Sequence, residues 1–311
     1  MSLFPADAET PQILIQNAEA ALHHAKETSG WRFFVPTMNQ ESAERFTIEA
    51  GLRRALREYE LEVYFQPLIG VRSRTIHGAE AVLRWNAPQG MISTVTFIPV
   101  AEASDLIVPI GAWVLHAACR EAKRWETDGF PIRVAVNISS RQFRGDHLPT
   151  TVRAALEEQD LAPDRLELEI TESLLIDDIP GVVAALEELD AIGVTLALDD
   201  FGTGYSSLQY LKSLPFHVLK IDRAFVKDIG SDAADVTLVT AIVGMAHGLG
   251  LRVVAEGVEN RNQLDVLRRL GCDVIQGYYC GRPMPASDFR RQLRASGHAD
   301  CLEQQSEQTM V

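Results

Sequence analysis

The sequence has no run of eighteen apolar residues. The nearest, Ile107 to Cys119, is shorter and contains His116, so a buried core helix is expected there instead of a membrane span. The first residues, Met1-Ser2-Leu3-Phe4-Pro5-Ala6-Asp7, lack the basic and apolar segments of a secretion signal. Cysteine is scarce. Cys119, Cys272, Cys280 and Cys301 are widely spaced and form no Cys-x-x-Cys pair. This argues against a disulfide framework or a thiolate zinc site and predicts reduced thiols in the cytoplasm. The eight histidines show no metal-ligand spacing either, and His23-His24 are expected to be solvated on a helix. Basic charge is in deficit, with 29 Lys+Arg against 43 Asp+Glu and a net charge of -14. Such a chain is a poor partner for a DNA or RNA duplex or an anionic membrane, because phosphate backbones demand a basic face. If it handles a phosphate ester, a divalent cation held by oxygen ligands must attract it, which points to Mg²⁺ or Mn²⁺.

What is present is globular. Hydrophobic residues make up 46% of 311 positions, enough to fill a barrel core of ~250 residues. Residues 10–28 read as a helix: Thr10 caps it, Pro11 suits the first turn, and Leu14, Ala18, Ala21, Leu22 and Ala25 form one stripe. Trp31 to Val35 reads as a short strand, and Thr37 to Glu44 as a polar linker. From Arg45 onward, β-rich runs alternate with helical periodicity. The runs are Leu61–Leu68, Ile76–Arg84, Arg133–Ile138, Arg165–Ile170, Val194–Leu198, His217–Ile221, Arg252–Ala255 and Asp273–Tyr279. Eight such runs with intervening helices predict an α/β protein with a (β/α)₈, TIM-like barrel over 45–295. A short helix-strand remnant (1–44) precedes it and a polar tail (296–311) follows. A doubly wound open sheet is the alternative, but its GxGxxG fingerprint is missing.

Barrel chemistry collects at the C-terminal ends of strands. The polar residues expected there are Gln66, Glu80, Asn137, Glu169, Asp199 with Asp200, Lys220, Glu256 and Gln276. A single strand-end aspartate more often caps the next helix. One polar residue on each of eight strands is a stronger signal. Five converging carboxylates repel one another unless divalent cations sit among them. Asp199 and Asp200 are adjacent, so both can face one site only where the strand ends and turns, which Gly202 and Gly204 permit. One aspartate can then bridge two cations, a recurrent device for attack on phosphodiesters. Lys220 suits water positioning or charge stabilisation; its rival role is a Schiff-base nucleophile in a barrel aldolase. Arg84 can grip a phosphate oxygen, or simply form a surface ion pair. Asp200-Phe201-Gly202 imitates the kinase tripeptide, but no glycine-rich loop or catalytic loop accompanies it. Gly202 to Ser207 lacks the Walker spacing and lysine, and reads as a strand-to-helix loop.

These residues resemble the EAL-domain phosphodiesterases of bacteria, which cleave cyclic di-GMP to 5′-pGpG. The resemblance rests on Tyr64-Phe65-Gln66-Pro67, Gly78 to Trp85, Val136-Asn137-Ile138-Ser139, Leu168 to Ser173 and Asp199 to Ser207. It continues through Leu219-Lys220-Ile221-Asp222, Ala255 to Glu259 and Gln276-Gly277-Tyr278. It implies that Glu80, Asn137, Glu169 and Asp199 hold one metal, and that Asp199, Asp200 and Glu256 serve a second. Lys220 and Glu256 then assist the attacking water. Gln66, Arg84, Asp222 and Gln276 contact substrate or support those that do. Glu172 steadies the loop after Asp200, which in the family couples the site to dimerisation, and Glu259 supports from behind. Ca²⁺ is expected to inhibit, and a homodimer through the barrel is implied. The signature tripeptide reads Glu80-Ala81-Val82, with valine for the family's leucine, a modest packing change. Residues 17–34 resemble the end of a GGDEF (diguanylate cyclase-like) domain, and no cyclase activity is expected of them. A catalytically silent cyclic di-GMP receptor is the alternative.

Overall fold

The structure is a computed structural model that describes residues 1–27, 30–144, 147–176, 181–202 and 208–296. The chain forms two compact units: Met1–Glu60 with Trp85–Leu106, and Leu61–Arg84 with the chain from Ile107 onward. Eight strands close into a ring. They are β1 (Leu61–Gly70), β2 (Ile76–Ala87), β3 (Arg133–Ile138), β4 (Leu166–Thr171), β5 (Thr195–Phe201), β6 (Val218–Ile221), β7 (Arg252–Ala255) and β8 (Val274–Ile275). From β2 through β8 neighbours pair in chain order and run parallel. The β1–β2 pairing closes the circle. Two short outer strands, Gly90–Ile92 and Met284–Pro285, pair antiparallel with β2 and β1.

The ring differs from a regular (β/α)₈ barrel in its first strand. β1 runs antiparallel to β8, with Ile69 opposite Ile275 and Gly70 opposite Val274. Only residues 71–75 separate β1 from β2, too few for a helical crossover, so this pair forms a hairpin. Gln66 is therefore not at a C-terminal strand end as expected. It reaches the mouth from the opposite direction, from the middle of β1.

Period-2 alternation explains how the mouth is built. A buried apolar layer inside the ring comprises Leu68, Ala135, Ala197, Val218, Val254 and Val274. Two residues further along each parallel strand, on the same face, stand Asn137, Asp199, Lys220, Glu256 and Gln276. On the reversed β1 the same step runs backward, from Leu68 to Gln66. The opposite faces pack on outer helices. Phe65 is fully buried, edge-on to Trp125 at 4.9 Å and 6.0 Å from Phe289, on the helices Ile107–Thr127 and Ala286–Ser296. Phe65→Ala is expected to cost about 3–5 kcal/mol, read from urea or guanidinium unfolding.

In the other unit, Thr10 Oγ1 accepts the Ile13 amide at 3.4 Å at the start of the helix Pro11–Glu27, as expected of a cap. Ala20, Ala21, Phe34 and Met38 form a small core. Two expectations fail here. Trp31 to Val35 is not a strand; its backbone bonds go to Met1, from Phe34 N–H and to Arg32 C=O. Thr37 to Glu44 is not a linker but the first half of a helix, Thr37–Ala55. Polar residues such as Gln40 and Glu41 do not break helices, and Pro36 stands just before the first turn, where its missing N–H costs nothing. The indole N–H of buried Trp85 donates to Glu60 at 3.0 Å, and Arg54 grips the same carboxylate at 2.8 Å. Among the described residues, no helix is long and apolar enough to cross a membrane. The expected tail beyond residue 296 and the side chains of His23 and His24 lie outside the described residues.

Candidate active site

Lys220 is the centre of the mouth. Its side chain is 1% exposed, and its ammonium lies 2.7 Å from Glu169, 2.6 Å from Glu256 and 3.4 Å from Asp199. Burial alone would lower its pKa. Glu169, Glu256, Asp199 and Glu80 outweigh that and hold it well above the ordinary lysine value. A charged ammonium is no nucleophile, which removes the support for a Schiff-base role.

The carboxylates surround this cation. Glu169 is fully buried, and burial drives its pKa well up despite Lys220. Its Oε1 faces the ammonium, while Oε2 is buried with no hydrogen-bond partner among the described residues. Glu80 accepts from Asn137 Nδ2 at 2.7 Å and from Gln276 Nε2. Asp199 Oδ1 accepts the Asp200 amide at 2.9 Å. Asp200 adopts φ +55°, a left-handed turn that few non-glycine residues take. This turn is how two adjacent aspartates come to face one site: carboxylate oxygens of Asp199, Asp200 and Glu256 lie within 4.8 Å of one another. Burial raises the Asp200 pKa, and Asp199 and Asp222 add to it. The orphaned Glu169 oxygen and this three-carboxylate cluster fit divalent cations with oxygen preference.

Glu256 carries a testable pH consequence. Burial pushes its pKa from 4.5 up to about 7, with Lys220 opposing and Asp199 and Glu80 adding. Between those values the folded metal-free protein holds a proton that the unfolded chain has lost. Stability therefore falls as pH rises through that window. Thermal unfolding without metal should show this decline, and Mg²⁺ should flatten it by compensating the ionised carboxylates.

The remaining expected residues are placed as follows. Gln276 Nε2 donates to Gln66 at 2.9 Å as well as to Glu80, and Gln66 Nε2 donates to Gly281 C=O at 3.0 Å. Arg84 lies with its guanidinium 5.6 Å from the Tyr64 ring centroid and donates to its neighbour Leu83 C=O. Val82 is half-buried on the strand face of Glu80 and Arg84, so the valine of the signature tripeptide faces the mouth and not the helices. Asp222 caps the helix Arg223–Val226 through the Ala224 amide at 2.8 Å. Glu172 is buried and accepts the Gly202 amide at 3.2 Å; the rest of the loop, 203–207, lies outside the described residues. Glu259 is exposed and is not one of the three clustered carboxylates. It pairs with Arg223 at 2.6 Å, and the Arg223 stem lies over Gly257, where a Cβ would meet it at 2.2 Å.

Sequence reasoning placed Tyr64 and Tyr278 within motifs but gave them no role, and it missed Arg282. Tyr278 is half exposed, and the Arg282 guanidinium lies 4.1 Å from its ring centroid. No motif spacing signals such pairs, because the rings and guanidinium groups meet only across the closed ring or a turn. Beneath the site, Glu167 is buried on the Glu169 face and pairs with Arg252 at 3.7 Å.

Fold and site together define a class: α/β barrels with an acidic, lysine-centred mouth. Within it, the chain belongs to the EAL domain family, which matches residues 49–283. It is 44% identical over 293 residues to the "bifunctional diguanylate cyclase/cyclic di-GMP phosphodiesterase MucR" of Pseudomonas aeruginosa, covering 93% of this chain and 43% of that protein. It is 40% identical over 299 residues to "cyclic di-GMP phosphodiesterase NbdA" of the same species, covering 95% of this chain and 38% of that protein. The solved structure "PaMucR Phosphodiesterase, c-di-GMP complex" superposes with a TM-score of 0.75 at 44% identity, covering 78% of this chain and 99% of that one. The chain thus spans less than half the length of these two curated relatives.

Proposed function

We propose that this chain hydrolyses one phosphodiester bond of cyclic di-GMP to give 5′-pGpG, with two Mg²⁺ or Mn²⁺ ions. The observation that carries this reading is the buried Lys220 ammonium in contact with Glu169, Glu256 and Asp199 at a barrel mouth. The names and the cyclic di-GMP complex of the relatives support the substrate. Glu80, Asn137, Glu169 and Asp199 would hold one cation, and Asp199, Asp200 and Glu256 the other. When bound, the cations supply Lewis acidity that readies water and steadies phosphate charge. Glu256 takes the proton of the attacking water. Lys220 stabilises the negative charge that develops on the phosphoryl oxygens while the bond to the 3′ oxygen breaks, and that oxygen leaves as the 3′ hydroxyl after taking a proton from water. Arg84 grips a phosphate oxygen, and Gln66 and Gln276 line the approach. Glu172 holds the turn after Asp200 through Gly202.

Chromatography of cyclic di-GMP incubated with the protein and Mg²⁺ or Mn²⁺ should show one linear dinucleotide product, lost with EDTA. Binding without product would support the receptor reading instead. Ca²⁺ should sustain binding but little turnover, since its larger, looser shell misplaces the water. Equal turnover with Ca²⁺ and Mg²⁺ would contradict this. We further read the protein as a cytoplasmic homodimer, checked by sedimentation. Residues 1–44 are read as the end of a diguanylate cyclase-like domain without cyclase activity, checked by incubation with GTP.

A further inference from the structure

Two arginines stand at the mouth of a chain whose acidic residues outnumber its Lys+Arg by 43 to 29. Yet among the described residues neither Arg84 nor Arg282 has a carboxylate partner; each is held against a tyrosine ring, at 5.6 and 4.1 Å. The Arg282 pair is tied to the site at both ends of its turn. Gln276, two residues before Tyr278, donates to Glu80 and Gln66. Gly281, just before Arg282, accepts from Gln66. Between them, Gly277 is pressed so closely on Val258 that a Cβ would lie 2.1 Å from its carbonyl oxygen. Tyr279 N–H also donates to that carbonyl, at 3.0 Å. The turn is thus fixed to the neighbouring loop, while Tyr278 and Arg282 themselves stay exposed. An exposed pair with no ion partner contributes little to folding.

We propose that Arg282 is a guanine-reading residue and that Tyr278 positions it. A guanidinium lying on a ring keeps its edge N–H groups free as a rigid two-pronged donor. Guanine presents O6 and N7 as adjacent acceptors to such a fork; adenine places an amino donor where O6 would be and is refused. The pair therefore sets base specificity, separately from the carboxylates that act at phosphorus. This rests on the reading of the substrate as a guanine cyclic dinucleotide.

The test is calorimetric binding of cyclic di-GMP and cyclic di-AMP to the whole chain in Ca²⁺, which needs no turnover. Wild type should prefer cyclic di-GMP. Arg282→Ala should weaken cyclic di-GMP binding about tenfold or more and cut the preference over cyclic di-AMP by a similar factor. Arg282→Lys should not restore it, because a point charge lacks the fork. Tyr278→Phe should bind as wild type, and Tyr278→Ala should lose part of the affinity. Unchanged melting temperatures would show that the folds are intact. An unchanged preference in Arg282→Ala, or full recovery in Arg282→Lys, would overturn the proposal. Wild type that binds cyclic di-GMP in Ca²⁺ but yields no linear product in Mg²⁺ or Mn²⁺ would overturn the phosphodiesterase reading alone. Wild type binding neither dinucleotide would overturn both.

Discussion

Asp199→Ala is expected to lose turnover of cyclic di-GMP by about three orders of magnitude or more, the scale of several kcal/mol of metal-supplied charge stabilisation. Asp199 serves several partners at once. It faces Lys220 at 3.4 Å, accepts the Asp200 amide that sets the left-handed turn, and belongs to the three-carboxylate cluster. A methyl group can replace none of these contacts. Titration calorimetry with Mn²⁺ should show a matching loss of metal affinity, while circular dichroism reports an intact barrel. Retained turnover would refute its assignment as a metal ligand. Asp199→Asn should be nearly as damaging, because the amide keeps the shape but removes the charge.

Lys220→Ala has two expected effects, and their combination distinguishes a role in the site from simple packing. Lys220 is fully buried among carboxylates, so its removal leaves Glu169 and Glu256 as uncompensated acids in the ring. Breaking a buried ion pair from one side costs about 3–5 kcal/mol. In metal-free protein that loss should appear as a lower unfolding midpoint. Mg²⁺ should recover much of it, since cations compensate the same carboxylates. Turnover at saturating Mg²⁺ should stay low while cyclic di-GMP still binds, because the ammonium acts on charge that develops only in the transition state. Wild-type turnover in this variant would remove Lys220 from the proposed reaction.

Much of the barrel is legible in the order of the amino acids. The expected runs at Arg133–Ile138 and Arg252–Ala255 coincide with β3 and β7. These are the places where apolar periodicity and burial agree, so local pattern and tertiary packing demand the same element. The direction of β1 is not legible in this way. The alternation over residues 61–67 reads the same in either direction, and the short connection to β2 decides that the strand descends from the mouth. The helix at Thr37–Ala55 is hidden because its first turns carry few apolar residues; of its buried side chains, Met38, Leu52 and Ala55, only Met38 lies in the stretch that reads as a linker.

The sequence alone determined which polar residues stand at the mouth end of their strands. Asn137, Asp199, Lys220 and Glu256 each stand two positions past a small or branched apolar residue on its own strand, and that spacing is a local property. Only the closed ring decided what those residues do to one another. Folding brings Glu169, on β4, and Glu256, directly after β7, against one ammonium on β6. It also lays Arg84 near Tyr64 of the paired strand β1 and folds Arg282 back onto Tyr278, four residues before it. Spacing along a strand selects the face; distance across a barrel, and the burial that strengthens charge interactions there, are set only when the first strand meets the last.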